Sequence, residues 1–209
     1  ILSASAPTDP VSAAFMNTVY AGSLDADDVH VGAMLHPGCI VFSAALAIGQ
    51  AQRLPGHRVL AAVGAGNQAM IRIALAFQPS HLNRGLQSTS TCGVFGAAVA
   101  ASALLSNGAD RATRIAESIG LGASFCGGLT QFYHSGSTVK RIHAAQAASS
   151  GVRAALLVDS GFSGPIDILE GKDGFARAYA DAVDFDRLSD GLGRDFPLLG
   201  VAIKPHACS

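Results

Sequence analysis

The sequence predicts a mainly helical protein, and three observations carry that expectation. The 209 residues are 49% hydrophobic and only 14% charged, with 24 Gly and no Trp. A chain rich in Ala and Gly with so few charges suits tightly packed helices that show little polar surface. Apolar residues recur three and four apart over several stretches, the period of a helix with one buried face. Gly, Pro and Asn punctuate those stretches, as helix ends require.

Thr8-Asp9-Pro10 reads as a helix start, a capping oxygen followed by Pro in the first turn. Val11, Ala14, Phe15, Thr18 and Val19 then share one face, and Gly22-Ser23 ends the helix. Pro37 opens a second helix to about Gln52, with Ile40, Ala44, Ala47 and Ile48 as its stripe. Leu54-Pro55-Gly56 is a turn, a third helix runs from about His57 to Phe77, and Gln78-Pro79-Ser80 breaks it. Residues His81 to Thr91 read as a polar loop that feeds a buried apolar helix, Cys92 to Leu105, too short to span a bilayer. Hydroxyls and amides ahead of a helix N-terminus suit an anion such as a carboxylate.

Asn107-Gly108 is a turn, and Asp110 is expected to cap a helix to about Leu121. Ser137 or Thr138 caps the next helix, which runs to Ser160 and carries Lys140, Arg141 and His143 in its first turn. Cations there oppose the helix macrodipole, a cost tolerated if they face an anionic ligand. A Gly-Pro turn follows within Phe162 to Leu169, then a short helix over Gly171 to Ala182. The segment Asp184 to Asp195 is acidic and aperiodic, and Leu198 to Ser209 looks like a strand entering something new. A domain boundary is drawn near Gly200.

Gly64-Ala65-Gly66-Asn67-Gln68-Ala69 matches the G-x-G-x-x-A dinucleotide fingerprint. That motif needs a preceding strand and an acid about 20 residues on. No acid occurs between Val29 and Ala109, and the flanking apolar spacing is helical. Small residues letting two helices approach closely account for it better. The net charge of −1 and the lack of a basic run argue against nucleic acid or an anionic membrane as partner. The cysteines Cys39, Cys92, Cys126 and Cys208 are far apart with no C-x-x-C spacing. That argues against a zinc site or disulfide framework and for reduced thiols in a cytoplasmic setting. The N-terminus has neither the positive region nor the long apolar run of a signal peptide.

The chemistry concentrates in Leu24 to Pro37, LDADDVHVGAMLHP, which holds Asp25, Asp27, Asp28, His30 and His36. Read blandly, it is a solvated acidic loop between helices. Read sharply, it holds a carboxylate and an imidazole together for proton transfer, each tuning the other.

Several segments, in order, resemble the MmgE/PrpD family. AAFMNTVYAGSLDADD followed by His36-Pro37 is similar to that family's Asn-containing helix, acidic D-x-D-D loop and His-Pro. RGLQSTSTCGVFGAAVAA resembles its R-G-F-H-P-T segment running into G-A-A, and VKRIHAAQAASSGVRAALL its K-x-x-H helix. GFSGPIDILEGKDGFARAYA resembles its G-F-x-G-P…L-E-G segment, and IKPHACS its K-P-Y-P-C-C.

The resemblance implies a mainly α helical domain over residues 1–200 and the beginning of an α/β lid domain at 201–209. The chain is thus expected to be a fragment, incomplete at both ends. It also implies a cytoplasmic homodimer acting on a small polycarboxylate without metal or organic cofactor, as 2-methylcitrate dehydratases, cis-aconitate decarboxylases and an iminodisuccinate epimerase do. Carried over by position, Asp25 matches an active-site acid, His36 the His of His-Pro, and Lys140 and Lys204 the two active-site lysines. Gln87, His143 and His206 fall at substrate-binding positions. His36, oriented by Asp25, would serve as base or acid. Three departures bear on the reaction: Val29 where decarboxylase-like members have Thr, Gln87 where many have His, and His206 where K-P-Y-P has Tyr. Gln cannot shuttle a proton as His can. The implied reaction is a dehydratase-type elimination, with an epimerase or decarboxylase open beside it, and an inactive helical remnant as the non-enzymatic alternative.

Overall fold

A computed structural model describes residues 7–207; Cys208 lies outside them. Helix α1, Pro10–Gly22, starts where Asp9 accepts the Val11 and Ser12 N–H groups at 2.9 and 3.0 Å. Its buried face is Ala13, Ala14, Asn17 and Thr18. That is about one residue away from the expected stripe, because the helix turns its small residues toward its neighbours and leaves Phe15 and Val19 half-buried.

The chain then crosses the acidic loop, where Asp28–Val29 form the short strand β1, and enters α2, Gly38–Ala51. Helix α3 spans Gly56–Phe77, α4 is one turn at Ser80–Asn83, and α5 spans Ser88–Leu105. The expected polar loop is therefore largely helical. Ser88, Thr89, Ser90 and Thr91 are buried in the first turn of α5, and Thr91 Oγ1 bonds the Gln87 carbonyl inside the fold. Helices α6, Arg111–Ala123, α7, Phe132–Ser135, and α8, Lys140–Asp159, follow. The Asp110 side chain makes no capping bond to α6, contrary to expectation, whereas Ser137 Oγ accepts the Val139 N–H ahead of α8 at 3.3 Å. Of the expected helix at 171–182, only α9, Phe175–Tyr179, forms. The 184–195 segment holds a single turn, α10, Asp186–Ser189. After a 3-10 turn at Pro197–Gly200, strand β2, Ala202–Ile203, pairs antiparallel with β1, Asp28 opposite Ile203.

Helix α5 is the axis. Every residue from Ser88 to Leu104 is buried, and α2, α3, α6 and α8 pack round it. The Ala and Gly content makes this possible. A Cβ on Gly151 of α8 would lie 2.4 Å from the Ala97 Cβ and 2.5 Å from the Ala98 nitrogen. A Cβ on Gly66 of α3 would lie 2.6 Å from both the Gly96 carbonyl and Val41. The glycine fingerprint thus lies inside a helix, and Gly66 is the point where α3 meets α5. Two described helices, α3 and α5, are long and apolar enough to cross a membrane; α5 is 94% buried inside the fold over that stretch and α3 half buried.

Two polar residues pin the outer segments. Buried Arg72 donates to the backbone carbonyls of Arg187, Asp190 and Asp195 at 3.3, 2.7 and 2.8 Å, fastening the aperiodic acidic segment to α3. Buried His81 meets Thr91 Oγ1 at 2.6 Å and the Tyr179 carbonyl at 3.1 Å. Burial pulls its pKa down to about 4.

The two fingerprint glycines separate cleanly in a thermal melt. Gly66→Ala must displace helix backbone and is expected to cost about 1–3 kcal/mol, roughly 2–4 °C in Tm per kcal/mol. Gly64, where an added Cβ meets nothing within 4 Å, should be stabilised by substitution with Ala, by up to about 1 kcal/mol. Equal melting temperatures for the two variants would contradict the packing described.

Candidate active site

The acidic loop is shaped by its backbone before its charges. Asp25 adopts a left-handed conformation, φ +54°, which Asp tolerates better than most side chains. Beyond it the chain extends into β1, where successive side chains point to opposite sides. Asp28 therefore parts from the other two acids.

Asp28 turns toward the start of α2, where both its oxygens accept the Gly38 N–H, at 3.0 and 2.9 Å. A carboxylate is well placed at a helix N-terminus. Burial nonetheless pushes its pKa up, against the Gly38 bond, with the Asp27 charge adding to the rise. A Cβ on Gly38 would fall 2.7 Å from that carboxylate, so any larger residue would displace the Asp28 side chain.

Asp27 and Asp25 turn toward lysines. Lys204 Nζ donates to Asp27 Oδ1 at 2.9 Å, Asp25 Oδ1 at 3.0 Å and the Asp25 carbonyl at 3.2 Å. Lys140 Nζ, from the first turn of α8, reaches both Asp25 oxygens at 2.9 and 2.8 Å. Asp25 is thus clamped between a cation from a distant helix and one from the strand-paired tail. Burial raises its pKa, but the bonds and charges of Lys140 and Lys204 outweigh that and hold the carboxyl below its ordinary range. Burial likewise opposes the charge on Lys204, and Asp27 and Asp25 more than restore it, so its pKa is raised.

His36 sits across the loop. Its backbone N–H donates to Thr89 Oγ1 at 3.2 Å, and its Nδ1 lies 2.8 Å from the Asp28 carbonyl. A carbonyl only accepts, so Nδ1 carries a proton, and in the neutral ring the lone pair is on Nε2. The carboxylate beside the ring is that of Asp27, at 3.7 Å. The expected partner, Asp25, is instead taken up by the lysines. Asp27 is separated from Asp28 by its bond to Lys204, whereas Asp28 bonds the Gly38 N–H.

Gln87, buried at the start of α5, accepts from His143 Nδ1 at 3.0 Å, and burial lowers the His143 pKa. Asp25, Asp27, His36, Gln87, Thr89 and Lys140 line one narrow cleft of about 20 Å³. A wider cavity of about 310 Å³ adjoins it and shares Asp25, Lys140 and Arg141. Of the residues expected at the site, His143 stands behind Gln87. His206 is exposed and lines neither space.

The model of the MmgE/PrpD N-terminal domain matches residues 1–188. The chain belongs to the MmgE/PrpD family. It is also 27% identical, over 215 residues, to a cis-aconitate decarboxylase-like protein, oryM, of Aspergillus oryzae. That alignment covers 95% of this chain and 44% of the relative, so the chain spans less than half the length of that protein. The mainly helical architecture is that of the family's N-terminal domain.

The clamp on Asp25 sets a pH signature. Its depressed pKa means that its ionised form stabilises the fold at every pH above the unfolded value, about 3.9. The contribution is lost only as pH falls through the lower folded value. Asp25→Asn, which keeps the left-handed backbone comfortable, should therefore unfold more easily than the parent at pH 7. In denaturant titrations the gap should hold down to about pH 4 and close below it. A gap that persists to pH 2 would contradict the clamp.

Proposed function

We propose that this chain forms the proton-transfer half of a lyase site acting on a small polycarboxylate. The observation that carries the reading is the fixed tautomer of His36. With Nδ1–H committed to the Asp28 carbonyl, Nε2 of the neutral ring can act as a base, and the cleft that His36 lines also holds the cations Lys140 and Arg141. The family and the decarboxylase-like relative support the reaction class without naming the substrate.

The steps balance with few groups. Nε2 takes the proton from the carbon next to a substrate carboxylate. The developing charge spreads onto that carboxylate, where a lysine N–H stabilises it. The imidazolium returns the proton to a hydroxyl on the adjacent carbon, and the C–O bond breaks to release water and leave the alkene. Asp27 lies 3.7 Å from the ring. Lys204 acts as a positioning residue, since its bonds hold Asp25 and Asp27 in place.

A decarboxylase is the second reading, and the decarboxylase-like relative supports it. Gln87 lines the cleft where many family members have a His, and it cannot supply a second transferable proton. Loss of CO₂ followed by protonation of the carbanion needs only one acid, which a protonated His36 would supply.

Full-length protein incubated with citrate, 2-methylcitrate and cis-aconitate should convert at least one of them to an alkene acid or CO₂. His36→Gln should lower that turnover roughly 10²- to 10⁴-fold while leaving the melting temperature within a few degrees. Undiminished turnover in the variant would remove His36 from the chemistry.

A further inference from the structure

Resting on that reading, we propose that Arg141 is a substrate-binding residue that receives a carboxylate remote from the reacting carbon, in the cavity beside the cleft.

A lysine ammonium has three N–H donors and an arginine five. Lys204 makes three bonds, to Asp27, Asp25 and the Asp25 carbonyl, and its side chain is 5% exposed. It has nothing left for a ligand. Lys140 makes two, both to Asp25, and keeps one. The two lysines therefore cannot recognise a polycarboxylate by themselves.

Arg141 supplies what they lack. Its Nε donates to the Ser23 carbonyl at 2.9 Å, which tethers the guanidinium over the end of α1. Its Nη groups make no hydrogen bond or ion pair among the described residues, and their four N–H donors remain for a ligand. A solvated surface arginine would share that feature, but Arg141 lines both the cleft and the 310 Å³ cavity. It therefore joins the reacting space to a larger one. The cavity's charged lining is Lys140, Arg141 and Asp25, two cations against one anion.

The remaining walls fit a carboxylate on a short carbon skeleton. Ser137, Thr138 and Tyr133 bring hydroxyls, and Phe132 brings an apolar face. A guanidinium fork matches a carboxylate in a bidentate way that an ammonium does not. The position also explains a local cost. Lys140 and Arg141 stand at the N-terminal end of α8, where the macrodipole disfavours cations. An anion in the cavity offsets that repulsion.

Calorimetric titration of the full-length protein tests this with two probes, propane-1,2,3-tricarboxylate and succinate. Arg141→Ala should weaken the tricarboxylate roughly 10- to 100-fold and succinate, which has one carboxylate fewer to place, several-fold less. Arg141→Lys, which keeps the charge and loses the fork, should fall between. Unchanged tricarboxylate affinity, or no binding by the parent protein, would overturn the proposal. So would equal weakening of both probes in both variants, which would mark Arg141 as a structural tether to Ser23. Binding with the expected pattern but no turnover would remove the catalytic reading and keep this one; turnover with unchanged tricarboxylate affinity would do the reverse.

Discussion

One carboxylate, Asp25, holds the site together. Lys140 reaches it from α8 and Lys204 from the tail, 115 and 179 residues further along the chain. Neither lysine is fixed by its own element, because each stands at the start of a helix or the end of a two-residue strand. The charge of Asp25 gives both a common target. Once Asp25 is occupied this way, Asp27 is the acid beside His36 and Asp28 is the acid that fixes the start of α2. The division of labour among three neighbouring acids follows from that single clamp and from the bond of Asp28 to the start of α2.

The helical core decides where the clamp's distant half stands. Lys140 is the first residue of α8, and α8 is positioned by contact with α5 through Gly151 and Ala97, where a side chain larger than hydrogen would push the helices apart. The same crossing sets Gln87 and Thr89 at the start of α5 beside His36. The Ala and Gly content of the chain is thus connected to its chemistry. Close helix approach brings the N-terminal ends of α5 and α8 to one spot, and the acidic loop is draped over them. The small cleft is narrow because the elements around it are close.

Much of this was legible in the sequence. Helix starts and breaks at Asp9-Pro10, Pro55-Gly56 and Asn107-Gly108 fell where local chemistry put them, because caps and turns are decided within a few residues. The family motifs pointed to Asp25, His36, Lys140 and Lys204, and the loop brings these four within one neighbourhood. What failed were inferences needing long-range contacts. Ser88 to Thr91 read as a polar loop because hydroxyls are usually solvated, yet the fold buries them. The 184–195 segment had no periodicity to read, since its order comes from Arg72, more than a hundred residues earlier. Asp27 could be told from Asp25 only once the lysines were seen to claim the latter. Arg141 stood out as a cation in a helix's first turn, but its unspent donors and its cavity are properties of the fold alone.

The central claim is that Asp25 is coupled to both lysines at once. Double-mutant cycles in the full-length protein, pairing Asp25→Asn with Lys140→Met and separately with Lys204→Met, measure this by denaturant unfolding at pH 7. A favourable coupling energy is expected in each cycle, within the ~0.5–3 kcal/mol found for contacting residues. Additive effects in both cycles would show that the acid and the two lysines do not meet, and the site as described would not exist.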